Sequence, residues 1–174
     1  GPAWLYALHP LGAVESAGSG HMEALALLCV LQTVISWERR GEGGGWAVLG
    51  MWVKLLPMVL VPKVWRGRPI LSLVALGVGV VAVWPFIEAG ASLGAGMSNY
   101  VQHWSFNGVL FPVFEWLFGT QARWVAFGVG LLVVLRSIRV NQDLARIALW
   151  AGGAFVMLSP TVHPWYVLWA WVPS

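Results

Sequence analysis

The stretch "ILSLVALGVGVVAVWPFI", from Ile70 to Ile87, decides the fold. It contains no charged residue and has about the length that an α-helix needs to cross roughly 30 Å of hydrocarbon. Similar apolar runs extend from Glu23 to Trp37, from Ala122 to Ile138 and from Leu144 to Leu158, the first being long enough if its helix begins near Gly20. These runs predict an all-α protein, a polytopic bundle of transmembrane helices.

The composition supports this prediction and excludes several other classes. Hydrophobic residues make up 59% of the 174 residues and charged residues only 10%, whereas soluble domains carry about 25% charged residues. The single Cys29 excludes a disulfide framework and a cysteine zinc site. The net charge of +3 comes from basic residues between apolar runs, which indicates membrane orientation and no nucleic-acid partner. We expect residues 1–174 to be one membrane-embedded helical domain, truncated at both ends.

The basic residues also predict an orientation in the plasma membrane. The segment from Pro85 to Gln121 contains no lysine or arginine. Because positive clusters favour the cytoplasm, this segment is predicted to be one long extracytoplasmic loop of a multi-pass protein. The three clusters are Arg39 and Arg40, then Lys63, Arg66 and Arg68, then Arg136, Arg139 and Arg146.

The segment Trp46–Pro62 conflicts with a simple crossing, because it lies between two basic clusters. It holds Lys54 near its middle and Pro57 as a helix breaker. A re-entrant or kinked segment resolves the conflict, since irregular backbone is tolerated at membrane depth where protein buries it. The alternative is a full crossing with Arg39 and Arg40 outside.

With re-entry, three polar stretches fall on one extracytoplasmic face: "ESAGSGHME" from Glu15 to Glu23, Ser98–Trp116, and "SPTVHPWYVLW" from Ser159 to Trp169. Polar and aromatic groups that converge at one mouth of a helix bundle are typical of a binding site. The candidate residues in these stretches are Glu15, His21, Glu23, Trp104, Asn107, His163, Trp165 and Tyr166.

His21 and Glu23 lie where a helix is predicted to begin. An acidic residue there can simply stabilise the positive end of the helix dipole. Alternatively, the backbone N–H groups after Gly18 and Gly20 bind a phosphate or sugar oxygen, with Glu15 orienting a hydroxyl. The i, i+2 spacing of His21 and Glu23 does not suit a shared metal, so no metal site is predicted.

Lys54 and the turn around His163 each have two interpretations. Lys54 either extends its ammonium to the headgroups or binds an anion at depth, of which a lipid phosphate is the natural example. Trp165 and Tyr166 either belong to an interfacial aromatic belt or, with His163, bind the C–H faces and hydroxyls of a sugar. Trp104 and Asn107 offer similar groups in the loop.

Four motifs together resemble one family. "LYALHPLGAVESAGSGHMEALALL" resembles a segment N-P-L-x-x-x-E-x-x-G-x-G-H-N-D-A-L, "GMWVKLLPMVLVP" resembles A-x-x-x-K-x-x-P, "YVQHWSFNG" resembles Y-x-x-x-W-x-F-N, and "LSPTVHPWYVLW" resembles S-P-x-x-H-P-W-Y. In this order they are similar to bacterial polyprenol-phosphate-mannose-dependent glycosyltransferases of the GT-C fold class, including actinobacterial α-mannosyltransferases and family 87 relatives. His9 replaces an asparagine of that pattern, and Met22-Glu23 replaces Asn-Asp.

The resemblance implies a GT-C-like bundle that transfers a sugar, by analogy mannose, from a polyprenyl-phosphate donor to a hydroxyl of a glycan or glycolipid acceptor. It implies no cofactor, membrane lipid as a partner, and an active face outside the cytoplasm. His21, Glu23 and His163 are then the candidate catalytic residues. The candidate substrate-binding residues are Glu15, Lys54, Trp104, Asn107, Trp165 and Tyr166.

Two alternatives stay open at this point. The essential carboxylate of GT-C enzymes usually lies in a loop that would precede Gly1, so this fragment is expected to lack it. A non-catalytic subunit that binds a lipid-linked sugar therefore remains an alternative. A multi-pass transporter or flippase also places polar residues inside a bundle, but it predicts an internal repeat that the sequence does not display.

Overall fold

A computed structural model of the chain describes residues 22–89, 92–140 and 143–171. Within these ranges the chain forms helices and two isolated backbone bridges but no strand, which confirms the all-α prediction. The α-helices are α1 (Glu23–Arg40), α2 (Gly44–Val53), α3 (Val61–Val64), α4 (Pro69–Val83), α5 (Ser92–His103), α6 (Phe111–Phe118), α7 (Ala122–Val140), α8 (Leu144–Leu158) and α9 (Leu168–Trp171). Short 3-10 helices cover Leu56–Leu60, Trp84–Ala89, Gly119–Gln121 and Pro164–Val167.

Helices α1 and α2 form an antiparallel pair. Gly43 lies beside Thr33, Gly50 lies beside Cys29, and Lys54, directly after α2, contacts Glu23 at the start of α1. The first described turn of α1 begins at Glu23, three residues later than the predicted start near Gly20. This register places the beginning of α1 level with the end of α2.

The chain reverses direction after α2. Pro57 packs against Gly50, and the chain then runs back along α2 until Val64 lies beside Gly44. We call Leu56–Leu60 together with α3 the return segment. Gly67 lies against the carbonyl of Gly41, so the first two basic clusters share one end of the bundle. This reversal within Trp46–Pro62 is the chain path that the predicted re-entrant segment requires, while its relation to a membrane stays a prediction.

Helix α4 then runs parallel to α2 and packs closely against it. Gly44 lies against the Ser72 side chain and Gly79 lies against the Trp52 indole, and at both glycines a Cβ atom would overlap its neighbour. Small residues at such contacts let two helix backbones approach within van der Waals distance. The contact also shows how α2 and α4 are aligned: the Trp52 side chain lies beside Gly79, the middle residue of the 21-residue helical stretch Pro69–Ala89.

The prediction of one long loop from Pro85 to Gln121 is wrong. This segment is mostly helical, with α5 and α6 separated by a short non-helical connection, Trp104–Leu110. The prediction rested on the absence of lysine and arginine, which bears on the side of the membrane and not on backbone conformation. Within α5 the polar residues lie at helical spacing, and Gln102 Nε2 donates to Ser98 Oγ at 2.8 Å, an i, i+4 pair that stabilises the helix.

Helices α7 and α8 are antiparallel, and α8 has the predicted bounds. Asp143 caps α8, accepting a hydrogen bond from the Ala145 N–H at 2.8 Å, so its carboxylate has a structural role. The main core lies where α8 and α9 pack against α1, α2 and the return segment. Its buried members include Ala26, Leu27, Val30, Ala47, Leu60, Val64, Ile147, Leu168 and Trp169.

Two stretches of the described chain, Pro69–Ala89 and Phe111–Val140, are long and apolar enough to cross a membrane. Only 17% and 11% of their most apolar windows are buried inside the structure, whereas the core helix of a soluble protein is mostly buried. Trp124, Phe127 and Leu132 of α7 are each about two-thirds exposed or more. Apolar faces of this extent favour contact with lipid or with another apolar surface.

Candidate functional site

A buried carboxylate and a lysine meet at the junction of α1 and α2. Lys54 Nζ lies 2.7 Å from Glu23 Oε1, and the Glu23 side chain is 1% exposed while that of Lys54 is 38% exposed. Lys54 terminates α2 with an extended backbone conformation, so the helix break turns its side chain toward the start of α1. The sequence predicts separate roles for the two residues, and the fold brings them together.

The Glu23–Lys54 contact is an ion pair that lacks hydrogen-bond geometry. Although the Nζ–Oε1 distance is short, neither oxygen of Glu23 receives a hydrogen bond from the described residues. The short distance still makes the contact attractive, because an ammonium and a carboxylate attract each other regardless of direction. The carboxylate therefore retains acceptor capacity in a site that is closed to bulk solvent.

The position of this ion pair along the bundle follows from the contacts between α2 and α4. Trp52, two residues before Lys54, packs against Gly79 in the middle of Pro69–Ala89. Helix α2 begins beside Ser72 and has ten residues, so Lys54 and its partner Glu23 lie about 15 Å further along, near the end of α4. The predicted position of Glu23 at the outer face stays a prediction.

Four aromatic rings pack against one another at the turn after α8, which we call the aromatic turn. They belong to Phe106, His163, Trp165 and Tyr166. The His163 ring is stacked on Trp165, with centroids 4.3 Å apart and planes 8° apart. It also contacts Phe106 edge-on at 4.8 Å and Tyr166 at 5.2 Å. Pro164 begins the 3-10 helix that carries Trp165 and Tyr166, and this fixes the backbone from which the rings project.

The Trp104–Leu110 connection packs directly on this turn. Thr161 Oγ1 donates to the Trp104 carbonyl at 2.9 Å. The Phe106 N–H donates to the Pro160 carbonyl and the Val162 N–H donates to the Phe106 carbonyl, each at 3.0 Å. Two of the three polar stretches predicted to converge therefore do meet, through backbone pairing that the sequence pattern had not indicated.

Asn107 has a backbone role in this junction. It is a non-glycine residue in the left-handed region, with φ of 55°, and it forms a bridge with Thr161. Asparagine tolerates this conformation better than most residues. Its role toward a sugar stays a prediction.

Arg123 is a functional candidate that the sequence prediction missed. Its Nη1 donates to the Val101 carbonyl at 2.8 Å and its Nη2 donates to the Trp104 carbonyl at 3.0 Å. Its guanidinium also lies 5.5 Å from the centre of the Phe111 ring. One signal was available: Arg123 and Lys54 are the two basic residues outside the three clusters.

The two parts of the candidate site, the Glu23–Lys54 pair and the aromatic turn, lie beside the same hydrophobic core. Trp165 and Tyr166 pack against the same core cluster as Val53, the neighbour of Lys54. Glu15 and His21 lie outside the described residues, so the structure does not place them. Within the described chain no group of three or more metal-binding side chains occurs.

Comparisons with protein-family models, with curated proteins and with solved structures gave no match to this chain.

Proposed function

We propose that the protein is a multi-pass glycosyltransferase of the plasma membrane with a GT-C-like bundle. It transfers a sugar, by the motif resemblance mannose, from a polyprenyl-phosphate donor to an acceptor hydroxyl outside the cytoplasm. In this reaction the acceptor oxygen bonds to the anomeric carbon, the bond from that carbon to the phosphate oxygen breaks, and a general base takes the hydroxyl proton. Polyprenyl phosphate leaves with the bonding electrons.

One observation carries the proposal: the loop motif and the proline-flanked histidine motif meet. Trp104, Phe106, His163, Trp165 and Tyr166 form one continuous set of ring contacts. Aromatic faces with a nearby ring nitrogen suit a sugar, whose C–H faces and hydroxyls are presented together. Two of the four motifs that carry the family resemblance thus meet, and their aromatic surface supports the proposal of a sugar-binding site.

Lys54 has a more specific role in this proposal than the sequence indicated. Its ammonium is paired with Glu23 yet remains 38% exposed, so it can approach a second anion without leaving the carboxylate. A lysine in that position stabilises the negative charge that develops on a departing phosphate. Glu23, which is 1% exposed, is then a positioning residue for Lys54.

A transporter or flippase is the second candidate, and the burial of Glu23 beside Lys54 favours it. Ionisable residues inside a transmembrane bundle often mark a pathway for a solute. The two functions differ in whether a covalent bond is made. The test must therefore measure sugar transfer and donor movement separately.

The experiment uses the full native protein in sealed vesicles that contain polyprenyl-phosphate mannose labelled in the sugar and a glycolipid acceptor. Formation of a labelled glycolipid is measured by chromatography, and donor sidedness by reaction with an impermeant periodate reagent. His163→Ala should lower transfer by about 100-fold, equivalent to about 3 kcal/mol of barrier. His103→Ala is the matched control, because His103 is exposed and its ring contacts a carbonyl of its own helix.

The outcomes separate the candidates. A labelled glycolipid that depends on His163 supports the glycosyltransferase. Loss of donor asymmetry without a new glycolipid supports the flippase. Transfer at the wild-type rate by a folded His163→Ala protein would remove the aromatic turn from the site.

A further inference from the structure

The first two basic clusters meet where the end of α1 lies beside the start of α4. Gly41 follows α1 in the left-handed region, with φ of 66°, and Gly67 packs so closely on the Gly41 carbonyl that a Cβ atom at Gly67 would overlap it. This contact holds Arg66 and Arg68, on either side of Gly67, next to the last turn of α1, which carries two further arginines. The return segment thus joins two charged stretches that are distant in the sequence.

The joined stretches, residues 37–44 together with residues 61–69, form a surface that we call the basic end. They contain five basic residues and two carboxylates, a net charge of +3, which equals the net charge of all 174 residues. The five are Arg39, Arg40, Lys63, Arg66 and Arg68. Because like charges repel one another, an anion bound to this surface would stabilise it.

Interactions within the protein offset this charge only in part. Arg68 Nη2 lies 2.8 Å from Glu42 Oε1. Arg39 and Arg40 favour the negative end of the α1 dipole, an interaction that water and salt screen. Among the described residues no carboxylate lies within ion-pair distance of Arg39, Arg40 or Arg66, and all three are exposed. Most of the positive charge therefore faces an external anion.

An uncovered apolar surface begins directly at the basic end. Helix α4 starts immediately after Arg68, and its residues Ile70, Val74 and Val81 are each more than half exposed. Their spacing places them on one face of the helix, along about 16 Å of its axis. One leaflet of a hydrocarbon core is about 15 Å thick. The apolar face thus has the length of an acyl chain and begins beside the arginines.

We infer that the basic end binds an anionic phospholipid, with its phosphate at the exposed arginines and an acyl chain along the exposed face of α4. Charge complementarity selects an anionic headgroup over a zwitterionic one. The apolar face that starts after Arg68 selects a lipid over a soluble anion, which would leave that face uncovered. In the proposed orientation this surface meets the cytoplasmic leaflet, whose anionic lipids attract basic segments of membrane proteins. The inference goes beyond the proposed function and does not depend on sugar transfer.

The test measures lipid binding to the full native protein in detergent micelles by native mass spectrometry. The probes are phosphatidylglycerol, phosphatidylcholine with the same acyl chains, and glycerophosphoglycerol, which is the soluble headgroup alone. The wild type should prefer phosphatidylglycerol to phosphatidylcholine. Arg40→Gln combined with Arg66→Gln should lower the affinity for phosphatidylglycerol by about tenfold or more, because each basic residue near an anionic surface contributes about fivefold. The affinity for phosphatidylcholine should not change.

Gly67→Ala tests the geometry of the basic end without changing its charge. The added Cβ atom would overlap the Gly41 carbonyl, so the two charged stretches must move apart, and the affinity for phosphatidylglycerol should fall by about fivefold. Gly128→Ala is the matched control, because a Cβ atom at Gly128 meets no atom within 4 Å. It should bind both lipids like the wild type.

Glu42→Gln should act in the opposite direction. Its carboxylate no longer competes with the lipid phosphate for Arg68, so the affinity for phosphatidylglycerol should rise by about twofold. Arg139→Gln combined with Arg146→Gln is the control for overall charge, because it removes two exposed arginines from the third basic cluster. This control should retain the preference for phosphatidylglycerol. Melting temperatures of all variants show whether any loss of binding comes from unfolding.

Several results would overturn the inference. Equal affinity of the wild type for the two lipids would assign the surface to bulk lipid, and equal affinity for glycerophosphoglycerol and phosphatidylglycerol would assign it to a soluble anion. Equal losses in the two double arginine variants would mean that binding follows overall charge. If Gly67→Ala does not fold, the arginine variants decide. A protein that prefers phosphatidylglycerol but transfers no sugar refutes only the proposed enzyme.

Discussion

The ten lysines and arginines of the chain behave differently in two regions of the molecule. Eight lie in the three clusters, where the described ion pairs are exposed: Arg68–Glu42 at 2.8 Å and Arg146–Asp143 at 3.6 Å, with arginine side chains 59% and 72% exposed. The other two are Lys54, paired with the buried Glu23, and Arg123, bound to two backbone carbonyls. The basic residues therefore lie at exposed ends of helices in the first region, and in the second they contact a buried carboxylate or backbone carbonyls.

The difference has an energetic basis. Exposed ion pairs contribute about 0–1 kcal/mol, because water and salt screen them. Removal of one partner from a buried pair costs about 3–5 kcal/mol, because it leaves an uncompensated charge in a medium of low polarity. The burial of its partner, more than the residue type, decides how much each cation contributes to the free energy of unfolding.

The largest expected effect concerns the sidedness of the two regions. In a Cys29→Ala background, Asn99→Cys should react with an impermeant thiol reagent added outside intact cells, and Arg66→Cys should not react until the cells are opened. Both positions are exposed in the structure, so access to the reagent depends on the membrane alone. Labelling of Arg66→Cys from outside would reverse the proposed orientation.

The second prediction compares the buried and the exposed ion pair. Lys54→Met should lower the free energy of unfolding by about 3 kcal/mol, because the Glu23 carboxylate then remains buried without a counter-charge. Arg68→Met, which removes the exposed partner of Glu42, should cost no more than about 1 kcal/mol. Denaturant titration of the protein in detergent measures both.

A double variant sharpens this comparison. Glu23→Gln combined with Lys54→Met should be more stable than Lys54→Met alone, since the uncompensated charge is gone. Equal losses in Lys54→Met and Arg68→Met would mean that water reaches the Glu23–Lys54 pair. A double variant that is fully folded yet fails to use the lipid-linked donor would assign Lys54 a role in binding beyond stability.

The smallest expected effect concerns Thr161, which connects the turn to Trp104. Thr161→Val removes one hydrogen bond and should cost about 1 kcal/mol of stability. Thr33→Val is a matched control, because Thr33 is equally buried and donates to Cys29 of its own helix at 2.7 Å. Only Thr161→Val should also lower sugar transfer, because only it loosens the contact between the two motifs. Equal rates in both variants would mean that this contact does not position the site.

The sequence predicted best what depends on apolar length and on charge clusters. Leu144–Leu158 was predicted with its observed bounds, and Ile70–Ile87 differs from Pro69–Ala89 by one or two residues at each end. The reversal within Trp46–Pro62 followed from the basic residues on both sides and from Pro57. These features are local or nearly local, so one sequence contains enough information to find them.

Contacts between distant residues were much less accessible. Glu23 and Lys54 were both selected, but as separate binding groups, because their contact depends on the register between α1 and α2. The bridge between Phe106 and Thr161 joins residues more than fifty positions apart, and no periodicity indicates it. Arg123 was missed because its carbonyl partners become visible only when α5 and α7 are placed together.

The opposite charges of Glu23 and Lys54, which lie 2.7 Å apart, have an electrical consequence. In the proposed topology they lie at nearly the same depth in the membrane, so the transmembrane voltage exerts almost no net force on the pair. A variant that removes only one of them leaves a single charge inside the field, where 100 mV changes its energy by up to about 2.3 kcal/mol. The wild-type protein should therefore be insensitive to voltage at this point, while Glu23→Gln should gain a voltage dependence that Glu23→Gln with Lys54→Met loses again.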